Sequence, residues 1–139
     1  MATYTIDAPD VVKLDRANVV GVRYAHDGKA FYGYLDVNAG SIVMYTVPAG
    51  YELQIFNSAC RSLTTLAVAV GNTVYVRNVA NQTVYALGHF DSAVGYESQF
   101  HTQHFNPPLL LPAGYDILVH APNASGYMSC SIWGCLVQV

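Results

Sequence analysis

Val47-Pro48-Ala49-Gly50-Tyr51-Glu52-Leu53-Gln54-Ile55 is echoed 64 residues later by Leu111-Pro112-Ala113-Gly114-Tyr115-Asp116-Ile117-Leu118-Val119. In each copy proline fixes φ at the first turn position and glycine supplies a residue able to take φ > 0, so the chain reverses and enters a strand. Leu53 and Ile55 alternate with Glu52 and Gln54, and further on Val74 and Val76 alternate with Tyr75 and Arg77. That period of two predicts strands with one buried and one wet face. Two equivalent turn-plus-strand units half a domain apart suit a double Greek key, in which two four-stranded sheets face each other. A solenoid is excluded, because two copies are too few and the rest of the chain does not align with them.

Composition points the same way. The 139 residues include 18 Val, 5 Ile, 8 Thr and 11 Tyr but only 2 Glu and 2 Lys. Helices of soluble proteins need solvent-facing Glu, Lys, Gln and Arg, whereas sheets favour β-branched and aromatic residues. The expectation is an all-β chain, a jelly-roll-like antiparallel sandwich over 30–139 behind a short N-terminal arm, 1–29. Candidate strands are Ala30–Val37, Ser41–Val47, Tyr51–Asn57, Leu63–Val70, Thr73–Val79, Thr83–Leu87, Tyr115–Ala121 and Tyr127–Val137. Breaks are expected at Asn38-Ala39-Gly40, Pro48-Ala49-Gly50, Asn81-Gln82, Pro107-Pro108, Pro112-Ala113-Gly114 and Pro122-Asn123. Gly71-Asn72 reads as a two-residue hairpin. Gln99–Asn106 is polar and reads as a loop, and the apolar last strand reads as an exposed edge.

Residues 1–29 differ from the remainder. Lys13, Arg16, Arg23 and Lys29, four of the six basic residues, alternate there with Asp7, Asp10, Asp15 and Asp27. Pro9–Arg16 allows one or two helical turns or an extended arm. The segment suits either an attachment arm or added edge strands, and as an arm its candidate partner-binding residues are Lys13, Arg16, Arg23 and Tyr24. Charge pairing in such an arm contributes register and a fast encounter more than raw affinity.

The turn-plus-strand pattern, with Pro107-Pro108-Leu109-Leu110-Leu111 leading into the second copy and a strand running to the last residue, resembles small jelly-roll virion proteins of tailed bacteriophages. That group includes head decoration (cement) proteins and fibre-tip β-sandwich modules. The resemblance spans about residues 40–139 and rests on turn and strand geometry, with no functional residue in its motifs. It implies a homotrimer fixed to the major capsid protein or another virion protein, made in the host cytoplasm and located in the virion. A head decoration protein that stabilises the capsid is one implied role; a receptor- or glycan-binding module at a fibre tip is the other.

The residues themselves argue for interfaces rather than chemistry. At 139 residues the chain is one domain, large enough to bury about two-thirds of its unfolded surface without a metal or disulfide framework. Charged residues are 11% of the chain, against about 25% in an average soluble protein. The net charge of −3 and six scattered cations give no nucleic-acid footprint. No apolar run approaches the 18 residues of a spanning helix, so no membrane partner is expected. Interface centres are depleted in Lys, Glu and Asp and enriched in Tyr, which adds contact area at little entropic cost. Tyr32, Tyr34, Tyr45, Tyr75, Tyr96 and Tyr127 lie beside glycine or in segments read as loops.

His89, His101, His104 and His120, with Asp91 and Glu97, form the one candidate metal set. Zinc needs three or four converging ligands, and an H-x-x-H pair in a loop is thin support, so surface or interface histidines are expected. Nucleophile elbows, phosphate loops and a nameable carboxylate pair are absent, and no enzyme activity and no cofactor are expected. Cys60, Cys130 and Cys135, an odd number with no CxxC, read as small reduced hydrophobes in a sheet.

Overall fold

The computed structural model describes residues 28–66, 70–92, 95–122 and 126–139. Eight strands account for most of them: β1 (Lys29–Val37), β2 (Gly40–Thr46), β3 (Tyr51–Leu66), β4 (Val70–Arg77), β5 (Thr83–Ser92), β6 (Gly95–Leu111), β7 (Asp116–Ala121) and β8 (Gly126–Gln138). They form two four-stranded antiparallel sheets, ordered β1-β8-β3-β6 and β2-β7-β4-β5. Only β4 and β5 are consecutive neighbours within a sheet; every other connection crosses between sheets. This is the jelly-roll order that the paired turns imply. The core between the sheets comprises Leu53, Ile55, Leu87, Leu111, Ile117, Met128, Ile132 and a set of valines.

The two echoed turns lie side by side and close the sandwich. Within each, the tyrosine N–H donates to the proline carbonyl, Tyr51 to Pro48 at 3.2 Å and Tyr115 to Pro112 at 3.1 Å. Gly50 and Gly114 take φ of 78° and 82°, the left-handed values that residues with a Cβ rarely adopt. Between them Val47 N–H donates to the Tyr115 carbonyl at 2.9 Å, and Gly114 N–H to the Val47 carbonyl at 2.8 Å. The repeat in sequence is therefore a repeat in contact. Next to it Arg77 holds Asp116 through two hydrogen bonds, Nε to Oδ1 at 2.8 Å and Nη2 to Oδ2 at 2.6 Å, clamping β4 to β7 at directly opposed positions. The Asp116 carboxylate raises the Arg77 pKa further, chiefly through this hydrogen bond.

Several expectations are corrected. Gly71-Asn72 is no hairpin but lies inside β4, because Asn72 is fully buried and its Nδ2 donates to Ser62 Oγ on the opposite sheet at 2.6 Å. The hairpin sits at Asn78–Gln82, where Asn78 Oδ1 accepts the backbone N–H groups of Ala80 and Gln82 and Asn81 has φ 59°. Gln99–Asn106 belongs to β6, and Pro107-Pro108 does not end that strand. β6 is an edge strand, where one side of the backbone is unpaired and proline and polar residues are tolerated. The last strand, β8, is not an edge; it lies between β1 and β3. Tyr96, which no expected strand included, lies in β6, while Tyr32, Tyr34, Tyr45, Tyr75 and Tyr127 lie in strands expected for them.

Tyr51–Asn57 and Leu63–Val70, expected as separate strands, are largely one. Leu53 and Ile55 point inward, and beyond them Ser58, Cys60 and Ser62 do, so the inward set changes from odd to even numbers. The change falls at Phe56, where the register on β8 steps from Ile55–Gly134 to Asn57–Trp133. One extra residue in β3 is a bulge that turns every later side chain over. Opposite it Gly134 is obligatory, since a Cβ there would stand 2.2 Å from the Gln54 carbonyl oxygen.

Two outcomes follow. Gly134→Ala forces backbone apart in a central strand pair and is expected to destabilise by about 3 kcal/mol, read as a lower urea midpoint; a midpoint within error of wild type would refute the close approach. Arg77→Ala leaves a mostly buried carboxylate without its fork and is expected to cost about 1–2 kcal/mol, measured in the same way.

Candidate functional site

The bulge at Phe56 decides which side chains reach the outer face of the first sheet. Beyond it Asn57 points outward and pairs on one side with Trp133 of β8 and on the other with His104 of β6. Trp133 in turn opposes Tyr32 of β1. One row, Tyr32–Trp133–Asn57–His104, therefore crosses all four strands. The Tyr32 and Trp133 rings meet at 5.5 Å between centroids, tilted by 46°. His104 Nδ1 and Asn57 Oδ1 are hydrogen-bonded at 2.5 Å.

Around this row Ala30, Ala59, Thr102 and Phe100 complete a shallow groove of about 790 Å³. Tyr32, Tyr34, Trp133 and Phe100 are 60%, 53%, 41% and 68% exposed, which is enough free ring area for a partner to cover. Tyr34, in the next row, donates its hydroxyl to Asp36 Oδ1 at 2.6 Å, and that hydrogen bond raises the phenol pKa well above its usual value. Arg61 and Asp36 are the two charged residues among the outward positions of rows 32, 34 and 36. The face is aromatic and nearly neutral.

The outer face of the second sheet is of another kind. Val43–Leu118–Tyr75–Ala86 form a cross-strand row, flanked by the polar row Ser41–His120–Thr73–His89. Ser41 Oγ meets His120 Nδ1 at 2.6 Å, Thr73 Oγ1 meets His89 Nδ1 at 2.9 Å, and His89 Nε2 lies 3.2 Å from Asp91.

The candidate metal histidines are thus separated. His89 and His120 share the second sheet's outer face, and His104 lies on the first sheet's. His101, three residues from His104 on a strand, points the other way, toward Phe90 at the open edge between β5 and β6. Among the described residues no three His, Cys, Asp or Glu side chains gather as a metal site would require. Lys13, Arg16, Arg23 and Tyr24, the sequence-based partner residues, lie outside the described residues, as does most of the arm.

Sequence reasoning singled out Tyr32 and Tyr34 as interface-type residues but not Trp133, Asn57 or Phe100. One available signal is the parity of β1, where Phe31, Leu35 and Val37 are apolar and Tyr32, Tyr34 and Asp36 occupy the alternate positions. Asn57 could not be assigned a face without the bulge.

No family model matches the sequence, and no curated protein matches it. Among solved structures the chain is similar in fold to a chain of the infectious bursal disease virus Gx strain, with 11% identity and a TM-score of 0.42 over 91% of this chain and 36% of that one. It is also similar to a chain of the Gt strain of that virus, with 14% identity and a TM-score of 0.36 over 90% and 36%. A third likeness is to a chain of the T13 viral particle of infectious bursal disease virus, with 11% identity and a TM-score of 0.34 over 92% and 39%. The chain spans little more than a third of the length of these viral chains.

Proposed function

We propose that this chain is a structural virion protein: a homotrimer that decorates a phage head and stabilises the capsid, with the aromatic face of the first sheet as its contact surface. The observation that carries the reading is the row Tyr32–Trp133–Asn57–His104, where half-exposed rings lie on a sheet face almost free of charge. Rings of this kind supply large contact area at small entropic cost, and few charges need desolvation when the face is covered. Low charge across the chain, 11%, fits a surface covered in the assembled state. The arm belongs to the same proposal. β1, which begins at Lys29, is an edge strand of the aromatic sheet, and that supports assigning Lys13, Arg16, Arg23 and Tyr24 to the same contact.

The second reading, a receptor- or glycan-binding module at a fibre tip, is favoured by the pairing of the Trp133 and Tyr32 rings with the Asn57–His104 polar pair in one groove. Sugars stack their apolar faces on rings and hydrogen-bond to such amides.

Light scattering is expected to give about 45 kDa, three 15.1 kDa chains; a mass near 15 kDa at micromolar concentration refutes the trimer. Stoichiometric binding to expanded capsids, lost at least tenfold in Tyr32→Ser/Trp133→Ser with the fold retained by circular dichroism, supports decoration. Trp133 is the single tryptophan, so its fluorescence reads the face directly. A saturable change with oligosaccharides, and none with capsids, favours the fibre-tip reading instead.

The arm is tested by deleting residues 2–16. A soluble trimer that no longer binds capsids is expected; a truncation that aggregates or melts many degrees lower makes the segment part of the fold.

A further inference from the structure

Cys60 and Cys130 are 70 positions apart in sequence yet directly opposed in the β3–β8 ladder. Both side chains point into the core, both are fully buried, and their sulfurs lie 3.4 Å apart. Directly opposed residues of antiparallel strands have Cα atoms about 4.5–5.5 Å apart, within the roughly 4.4–6.8 Å that a disulfide spans. Closing the bond requires only that the two sulfurs approach. On the other side Gly88 of β5 covers the pair: a Cβ there would lie 3.0 Å from Cys60 Sγ, and Cys60 Sγ is 3.8 Å from the Leu87 carbonyl oxygen. The lack of a side chain at Gly88 leaves the sulfurs room. Cys135 takes no part. It lies five residues further along β8 opposite Gln54, about 16 Å away along the strand.

We propose that Cys60 and Cys130 are a latent cross-strand disulfide, made as two thiols and closed by a small peroxide-class oxidant, which locks the two central strands of the first sheet together. The proposal does not depend on the function assigned above. The hydrogen bond with Cys60, and then burial, raise the Cys130 pKa, so the pair rests in the thiol form. Oxidation begins at Cys60, whose sulfur faces the gap left by the missing side chain of Gly88. Its sulfur attacks one peroxide oxygen, the S–O bond forms as O–O breaks, and the departing hydroxide leaves as water with the Cys60 proton. The Cys130 sulfur then attacks the Cys60 sulfenic acid; the S–S bond forms, S–O breaks, and hydroxide leaves as a second water with the Cys130 proton. Two thiols lose two electrons and one hydrogen peroxide gains them. Hydrogen peroxide is small enough to reach the pair through local opening, where a bulky thiol reagent is not. Closing a 70-residue loop constrains the unfolded chain strongly, since the constraint grows with loop length.

The test treats the intact native protein with millimolar hydrogen peroxide. Expected are a loss of 2 Da, a fall in thiols titrated under denaturing conditions from three to one per chain, and a Cys60–Cys130 cross-linked peptide in a non-reducing digest. The melting temperature should rise by about 10 °C and return with dithiothreitol. Cys135→Ser should close identically, while Cys60→Ser should show no 2 Da loss. Three remaining thiols with a native spectrum, an intermolecular link through Cys135, or a 32 Da gain from sulfinic acid would each overturn the proposal. The digest of the wild-type protein settles the pairing even if a variant fails to fold.

Discussion

The close approach of β8 to β3 at Gly134 is the constraint on which the rest of the structure depends. Gly134 stands against the Gln54 carbonyl where any side chain would collide, and that contact accommodates the extra residue Phe56 in β3. Without the bulge the inward parity set by Leu53 and Ile55 would continue through Asn57, Ala59 and Arg61. Arg61 would then enter the core, and Cys60 would turn to the outer face, away from Cys130. With it, Ser58, Cys60 and Ser62 are buried, and Asn57 joins Trp133 on the outside. The aromatic row and the sulfur pair are two results of one phase change.

A second constraint acts at the end of the sandwich where β3 begins. The Pro-Ala-Gly turns exchange backbone hydrogen bonds through Val47, Tyr115 and Gly114, which satisfies groups that the turns would otherwise bury or leave to water. Each turn leads into a strand of a different sheet, β3 and β7, so their contact also fixes the two sheets relative to each other. Arg77 and Asp116 hold the same corner by charge at a site only slightly exposed, where a bidentate pair is worth more than on an open surface.

The two outer faces divide the labour of a small charge-poor protein. One carries rings in a groove; the other carries a short, mostly aliphatic row with Tyr75 in it, between hydrogen-bonded histidines and an ion pair. Separation of His101 from His104 follows from strand alternation alone, since they differ by an odd number and cannot share a face of one regular strand. The physical case for a contact surface therefore lies with aromatic area and the scarcity of charge.

The amino-acid sequence by itself determined the all-β class, the two-sheet architecture and the paired turns. Those follow from local causes: β-branched composition, the period of two in Leu53–Ile55 and Val74–Val76, and the φ demands met by Gly50 and Gly114. Only the tertiary structure decided that Gly71-Asn72 is buried strand, that β6 continues through two prolines, and that β8 is central. Each depends on a partner remote in sequence: Ser62 for Asn72, a single-sided edge for Pro107-Pro108, and β1 with β3 for the last strand. The contact row was half legible, in Tyr32 and Tyr34, because alternation is local. Its other half, Trp133 with Asn57, and the pairing of Cys60 with Cys130 were not, because one bulge sets the phase and a bulge is decided by which backbone lies opposite.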